Sequence, residues 1–378
     1  MGHKYAIFKF LPWLVYNAAN ITYDVANHIQ LFAEISGDGL LEALTLGLNN
    51  NGSANLSRED CIWRRGNDKD PCPDPDVHYY FYPPRDQRGK NNRESVKFET
   101  LSWVRESSHD PNKDTVILIH GYAGTSDILP MGVLRDAYLT NGSYNVYEVD
   151  WSPLSRVPCY ASAVHNMRPV ARCVGSFLTH LRNAGVDMRR TTCVGHSLGA
   201  HICGISANYL LFRVHKIIGI DPARPLIRSQ LKGRLDPGDA DVVQVIHTTS
   251  TFGDPRRSGH IDFCMNGARA QPFCANATNE VLCSHIRSVC YLAESLDGSR
   301  AQIGHPCVRR CLAGERRPSW ERHGLPVPIG HSTPEWVDGM FCVTSGSGSP
   351  YCPTKENPIG NPLCCVPPKS SPLTTNLV

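Results

Sequence analysis

The sequence predicts an α/β fold, a mostly parallel central sheet with helices on both faces. Short β-branched apolar runs recur between residues 115 and 247, and Thr115-Val-Ile-Leu-Ile-His120 shows no polar alternation. A strand that is apolar at every position is covered on both sides, as parallel strands are. Stretches of helical length separate the runs, as parallel connections require. A Gly-x-Ser-x-Gly pattern also falls at a strand-to-helix junction, Gly195 to Gly199.

In chain order, residues 1–60 lack a clear period. Lys4 precedes an apolar stretch, Ala6 to Tyr16, with the length of a secretory h-region, but Lys9 and Pro12 interrupt it. The Asn-rich patch Leu48 to Ser57 reads as a loop, so residues 1–60 are expected to be a leader containing a candidate signal peptide. The catalytic domain is expected over 61–351. Within it the pattern predicts strands over Thr115–His120, Tyr144–Val149, Thr191–Gly195, Val214–Ile220 and Val242–His247, with helices over Ala161–Asn183 and Leu198–Phe212. A Gly/Ser run, Ser345 to Ser349, introduces a Cys/Pro-rich tail over 352–378, whose composition cannot build a second packed core.

Composition narrows the function. Of 378 residues, 41% are hydrophobic and 19% charged, so the chain is ordinary globular material. The net charge of +3 is too small to argue for a nucleic-acid partner. Sixteen cysteines point to an oxidising compartment, and sequons at Asn20, Asn51, Asn55, Asn141 and Asn276 agree with secretion as a glycoprotein. No run reaches ~18 consecutive apolar residues, the length a membrane-spanning helix needs.

The chemistry starts at Gly195-His196-Ser197-Leu198-Gly199. A strand turning sharply into a helix strains the serine backbone and leaves no space for flanking side chains, so both glycines have a mechanical reason. In this context the pattern is the nucleophile elbow of the α/β-hydrolase fold. A serine hydroxyl needs a base to take its proton and an acid to orient that base, in the chain order Ser, Asp or Glu, His. Asp221 ends the predicted strand Val214–Ile220 and precedes Pro222, which brings it out beside the elbow; Asp236, Asp239 and Asp241 are the alternative acids. For the base, the residues alone divide the choice among His247, His260 and His285. Backbone N–H groups of Leu198, after the nucleophile, and of Tyr122, in the His120-Gly121-Tyr122 turn, are the expected oxyanion donors.

Nine ordered stretches between Cys72 and Ser288 resemble the pancreatic lipase family of animals. Among them are Cys72-Pro-Asp-Pro-Asp-Val77, Ile117-Leu-Ile-His-Gly-Tyr122, Gly219-Ile-Asp-Pro-Ala223, Arg234-Leu-Asp-Pro-Gly-Asp-Ala240, Gly259-His-Ile-Asp262 and Cys283-Ser-His-Ile-Arg-Ser288. The resemblance implies His285 as the base and hence a Ser197, Asp221, His285 triad. It implies a lid disulfide between Cys274 and Cys283, with a loop shorter than in triacylglycerol lipases and like that of phospholipase A1 members. It implies no required cofactor. In some members the Asp-Pro turn binds structural calcium, here through Asp236 and Asp239, although an Asx-capped turn is the commoner use of such residues. The stretch after His285 is too short for the β-sandwich domain that docks colipase, so no such domain and no colipase partner are expected.

The expected function is a secreted lipid carboxylic ester hydrolase acting at a lipid surface through an acyl-serine intermediate. Cleavage of phospholipid at the sn-1 ester is favoured. The alternatives are a triacylglycerol lipase and, in another class, a non-catalytic lipid-binding or yolk-type storage protein. Local spacing suggests disulfides Cys159–Cys173, Cys264–Cys290 and Cys307–Cys311, with Cys193 and Cys203 as buried free thiols and the C-terminal cysteines stapling the tail. Arg309, Arg310, Arg316, Arg317 and Arg322 around Trp320 read as a solvated basic loop.

Overall fold

The computed structural model describes residues 61–365 apart from 66–70, 85–92, 126–129, 228–230, 278, 308–310, 312–324 and 356–357. The leader, residues 1–60 with the sequons at Asn20, Asn51 and Asn55, the basic cluster and residues 366–378 of the expected tail therefore lie outside the described residues. Among the described residues eleven strands form one sheet: β1 (His78–Tyr82), β2 (Glu94–Ser95), β3 (Asp114–Ile119), β4 (Tyr144–Asp150), β5 (Thr191–His196), β6 (Lys216–Ile220), β7 (Val242–His247), β8 (Ile261–Met265), β9 (Ile303–Pro306), β10 (Val327–Pro328) and β11 (Gly339–Val343). Their spatial order is β10-β9-β11-β8-β7-β6-β5-β3-β4-β1-β2. The run from β4 through β11 is parallel throughout, while β1, β2, β9 and β10 add antiparallel edges.

Alternation along β3 shows why the predicted strands are apolar at nearly every position. Ile117 and Ile119 face one core; Val116 and Leu118 face the other. The first core is closed by helices α2 (Tyr160–Asn183) and α3 (Leu198–Ala207), and the second by α1 (Met131–Asn141) and α5 (Val289–Ser295). Between them, α4 (Glu280–Arg287) follows the bridged Cys274 turn. The two-sided covering makes this an α/β-hydrolase architecture. Helix α3 stops at Ala207 rather than Phe212. Asn208, Tyr209 and Leu210 donate backbone N–H groups to carbonyls three residues back, which tightens the chain into a turn, and Leu211 is left in solvent.

The disulfides depart from local spacing. All sixteen cysteines are paired: Cys61–Cys159, Cys72–Cys173, Cys193–Cys203, Cys264–Cys311, Cys274–Cys283, Cys290–Cys364, Cys307–Cys342 and Cys352–Cys365. Cys159 and Cys173 instead tie α2 to the chain before β1, and Cys307 reaches β11 because β9 pairs antiparallel with β11. Cys193 and Cys203 are not free thiols. Strand β5 and helix α3 pack so closely that their Cα atoms come within 5.9 Å, a bridging distance. Eight disulfides fit an oxidising compartment. Among the described residues no helix is long and apolar enough to cross a membrane.

Candidate active site

Strand β5 delivers Ser197 to the carboxyl edge of the sheet in a strained conformation, φ 57° and ψ −119°. The flanking glycines are sterically required. A Cβ on Gly195 would lie 2.4 Å from Ala200 N, and one on Gly199 would lie 2.2 Å from Ile119 O. Gly121 packs on the serine itself, where a Cβ would approach Ser197 Cβ to 2.6 Å. The end of β3 is thereby pressed against the nucleophile position, bringing Tyr122 and Leu198 to the same corner. As the first residue of α3, Leu198 has an N–H with no acceptor inside its helix. His120 locks this corner: its Nε2 accepts from Trp151 N–H at 3.0 Å, its carbonyl accepts from Trp151 Nε1 at 2.8 Å, and the two rings stack.

Ser197, Asp221 and His285 form one hydrogen-bonded line. His285 Nε2 lies 2.9 Å from Ser197 Oγ, and His285 Nδ1 lies 2.6 Å from Asp221 Oδ2. A carboxylate only accepts, so Nδ1 carries the proton and Nε2 is left to accept from the hydroxyl. Asp221 leaves β6 with φ 43° and is fully buried. Its Oδ1 accepts from Thr248 N at 2.7 Å and Thr249 N at 3.0 Å, and its Oδ2 also accepts from Thr249 Oγ1 at 2.7 Å. Burial pushes this carboxyl upward, but the hydrogen bond and charge of His285, with those from Thr248 and Thr249, outweigh it and hold the group below the usual carboxylate range. His260, a candidate base by sequence, instead accepts from Val243 N, and His247 bonds to Asp262 and Asp254.

Residue reading missed the groups that hold this line. Thr248 and Thr249 follow β7, the parallel neighbour of β6, so the strand order that exposes Asp221 also brings their N–H groups to it. His196 donates from Nε2 to the His285 carbonyl at 2.8 Å, and burial together with the adjacent His285 lowers its pKa to about 3, so it is neutral. Phe252 sets its ring 5.8 Å from the His285 ring. Cys274 and Cys283 are bridged, and Cys283 stands on α4 two residues before His285, so the short loop is tied to the helix that carries this imidazole.

The candidate calcium residues do not fit calcium. Asp236 and Asp239 form a reciprocal cap, Gly238 N donating to Asp236 Oδ1 at 2.7 Å and Asp236 N to Asp239 Oδ2 at 2.8 Å. Burial, with the adjacent Asp236 charge, raises Asp239 to about 8. The Arg213 guanidinium donates to the Gly238 carbonyl and repels a second cation there. Among the described residues no group of three or more His, Cys, Asp or Glu could hold a metal.

Residues 55–310 match the family model described as Lipase. The chain is 33% identical over 229 residues to Phospholipase A1 member A of Bos taurus, covering 57% of this chain and 49% of that protein. It is 29% identical over 290 residues to Phospholipase A1 of Vespa crabro, covering 70% of this chain and 93% of that protein. Phospholipase A1 of Vespula vulgaris is 30% identical over 234 residues, 58% of this chain and 69% of that protein. The chain thus spans about half the length of the bovine relative and most of the hornet one. With a hydroxyl, an imidazole and a carboxylate in line at the end of a parallel sheet, and a family match over more than half its length, the chain belongs to the lipase family.

Proposed function

We propose that this chain is a secreted phospholipase A1-like hydrolase that cleaves the sn-1 ester of phospholipids at a lipid surface, without colipase or a required metal. The observation that carries the reading is the line from Asp221 through His285 to Ser197, at 2.6 and 2.9 Å. In the reaction, Ser197 Oγ bonds to the ester carbonyl carbon as its proton passes to His285 Nε2. The N–H groups of Tyr122 and Leu198 hold the oxyanion, replacing hydrogen bonds that water would otherwise have to reorganise to provide. Collapse breaks the bond to the glycerol oxygen, which leaves with the proton from Nε2, and the acyl group stays on Ser197. Water then attacks the acyl carbon as Nε2 takes its proton, and collapse breaks the bond to Ser197 Oγ, which regains that proton as the fatty acid leaves.

Two features support phospholipid as the substrate. The relatives named above are phospholipases A1. Only eight residues separate the bridged Cys274 and Cys283, too few for a broad apolar flap that would cradle a third acyl chain. An intact hydroxyl–imidazole–carboxylate line also argues against a storage role, which needs none. Fatty acid release from phosphatidylcholine vesicles and from emulsified triacylglycerol, measured side by side, tests the reading. Faster release from phosphatidylcholine, with 2-acyl lysophospholipid as the second product, is expected. Much faster hydrolysis of triacylglycerol would favour the lipase alternative, and release from neither would favour a binding protein.

A further inference from the structure

Behind the active site lies a second histidine–carboxylate pair that the chemistry above does not use. His247, the last residue of β7, and Asp262, in β8, are both fully buried, with His247 Nε2 2.8 Å from Asp262 Oδ1. The other ring nitrogen, Nδ1, lies 2.7 Å from the Asp254 carbonyl. With Asp262 ionised, both partners only accept, so both ring nitrogens donate and the ring is an imidazolium. A buried ion pair is costly to form, and an apolar pair of similar volume often serves stability as well. Bulk stability alone does not require such a pair.

The pair's partners define its role. Asp262 also accepts from Ser258 N at 2.9 Å and Gly259 N at 3.0 Å. The pair therefore grips the loop 248–259 at its start, through His247 itself, at its middle, through the Asp254 carbonyl, and at its end. This loop surrounds Asp221: Thr248 and Thr249 donate to the carboxylate, Gly253 N donates to Thr249 Oγ1 at 2.7 Å, and a Cβ on Gly253 would fall 2.3 Å from Asp221 Oδ1. The same loop carries Phe252 beside the His285 ring.

We propose that His247 and Asp262 are positioning residues, an ionic clamp that holds loop 248–259 in the shape that fixes Asp221 and so orients His285; this rests on the hydrolase reading above. The charged groups facing His247 are Asp262, Asp221 and Asp254, and these have further cationic or imidazole partners of their own in Arg257, 3.7 Å from Asp262, His285 and Arg256. Burial lowers the affinity of His247 for its proton, but Asp262 and the two other carboxylates outweigh burial and raise it. For a histidine whose folded pKa is raised, the contribution is complete at low pH and is lost as pH rises through that pKa. Neutral His247 can donate from only one nitrogen, so either Asp254 or Asp262 is released. The clamp thus gives the pH profile of kcat an alkaline limb.

The test is kcat and KM for a soluble phospholipid analogue against pH in wild type, Asp262→Asn and His247→Gln, with near-UV circular dichroism reporting folding. Removing the Asp262 charge is expected to move the alkaline limb to lower pH by roughly 1–3 units, as loss of an adjacent opposite charge does. His247→Gln is expected to remove that limb and lower kcat on the order of 10- to 100-fold with KM little changed, the scale of a small misplacement in a catalytic group. Folded variants with the wild-type kcat and alkaline limb would overturn the clamp. Should a variant fail to fold, nitrogen-15 NMR of the wild-type histidines decides: a doubly protonated His247 at neutral pH, titrating with kcat, supports the clamp, and a neutral ring overturns it. Wild type without serine-dependent hydrolysis would fail the hydrolase reading instead, leaving the NMR titration to judge the clamp.

Discussion

Asp221 accepts hydrogen bonds from two backbone N–H groups, a threonine hydroxyl and His285, with no exposed surface. Asp221→Asn keeps the volume but replaces an acceptor oxygen with a donor amide, which disfavours the Nδ1–H tautomer and leaves Nε2 protonated toward Ser197. A kcat loss on the order of 10³- to 10⁴-fold, with KM little changed, is expected from steady-state kinetics at neutral pH. Because the folded carboxyl is held below its unfolded range, its ionised form stabilises the fold above the unfolded pKa, and that contribution disappears as pH falls through the folded one. Ser197 and Asp221 were legible from sequence, since a strand end and a tight turn announce each. His285 was not, because it lies on a helix that joins the sheet edge only in three dimensions. Three downstream histidines fitted the residues equally well, and only family resemblance separated them.

At the scale of elements, the elbow depends on close contact between α3 and the end of β3. A Cβ at Gly199 meets two backbone carbonyls, Ile119 O at 2.2 Å and His120 O at 2.6 Å, and no flexible side chain can yield. Gly199→Ala is expected to cost about 3 kcal/mol in urea unfolding, at the upper end for overpacking, and to lower kcat by displacing the turn that carries Tyr122. The loop between Cys274 and Cys283 makes the opposite case, an element whose shortness carries the substrate reading proposed above. Lengthening the loop between Cys274 and Cys283 with an amphipathic segment is expected to raise hydrolysis of triacylglycerol relative to phosphatidylcholine; an unchanged ratio would discard the lid argument. The central parallel strands were legible because apolar runs such as Thr115 to Ile119 leave little choice. Strands β1, β8 and β11 and helix α1 passed unread. Each is short or partly polar, as in His78-Tyr-Tyr-Phe-Tyr82 or Met131 to Asn141, and each takes its conformation from its neighbours.

Across the whole molecule, five of the eight disulfides link segments 35 to 101 residues apart, and for that reason spacing failed to read them. Cys72 and Cys173 are 101 residues apart, and chain-entropy arguments give a bridge of that span about 4.7 kcal/mol, against about 2.7 kcal/mol for the 10-residue separation of Cys193 and Cys203. The paired replacement Cys72→Ser with Cys173→Ser is therefore expected to lower the unfolding midpoint more than Cys193→Ser with Cys203→Ala, while kcat holds wherever the protein stays folded. The parallel sheet itself brings the active-site line together at its carboxyl edge, where residues 64 and 88 positions apart in sequence meet within hydrogen-bonding distance. The central claim, lipid ester hydrolysis by Ser197, is tested most directly by treating the intact protein with a fluorophosphonate and locating the adduct by mass spectrometry as phosphatidylcholine hydrolysis is followed. One adduct per chain, on Ser197, rising in step with loss of activity and absent from an inactive Ser197→Ala protein, is the predicted result. Hydrolysis that survives complete labelling of Ser197, or that persists in Ser197→Ala, would contradict it.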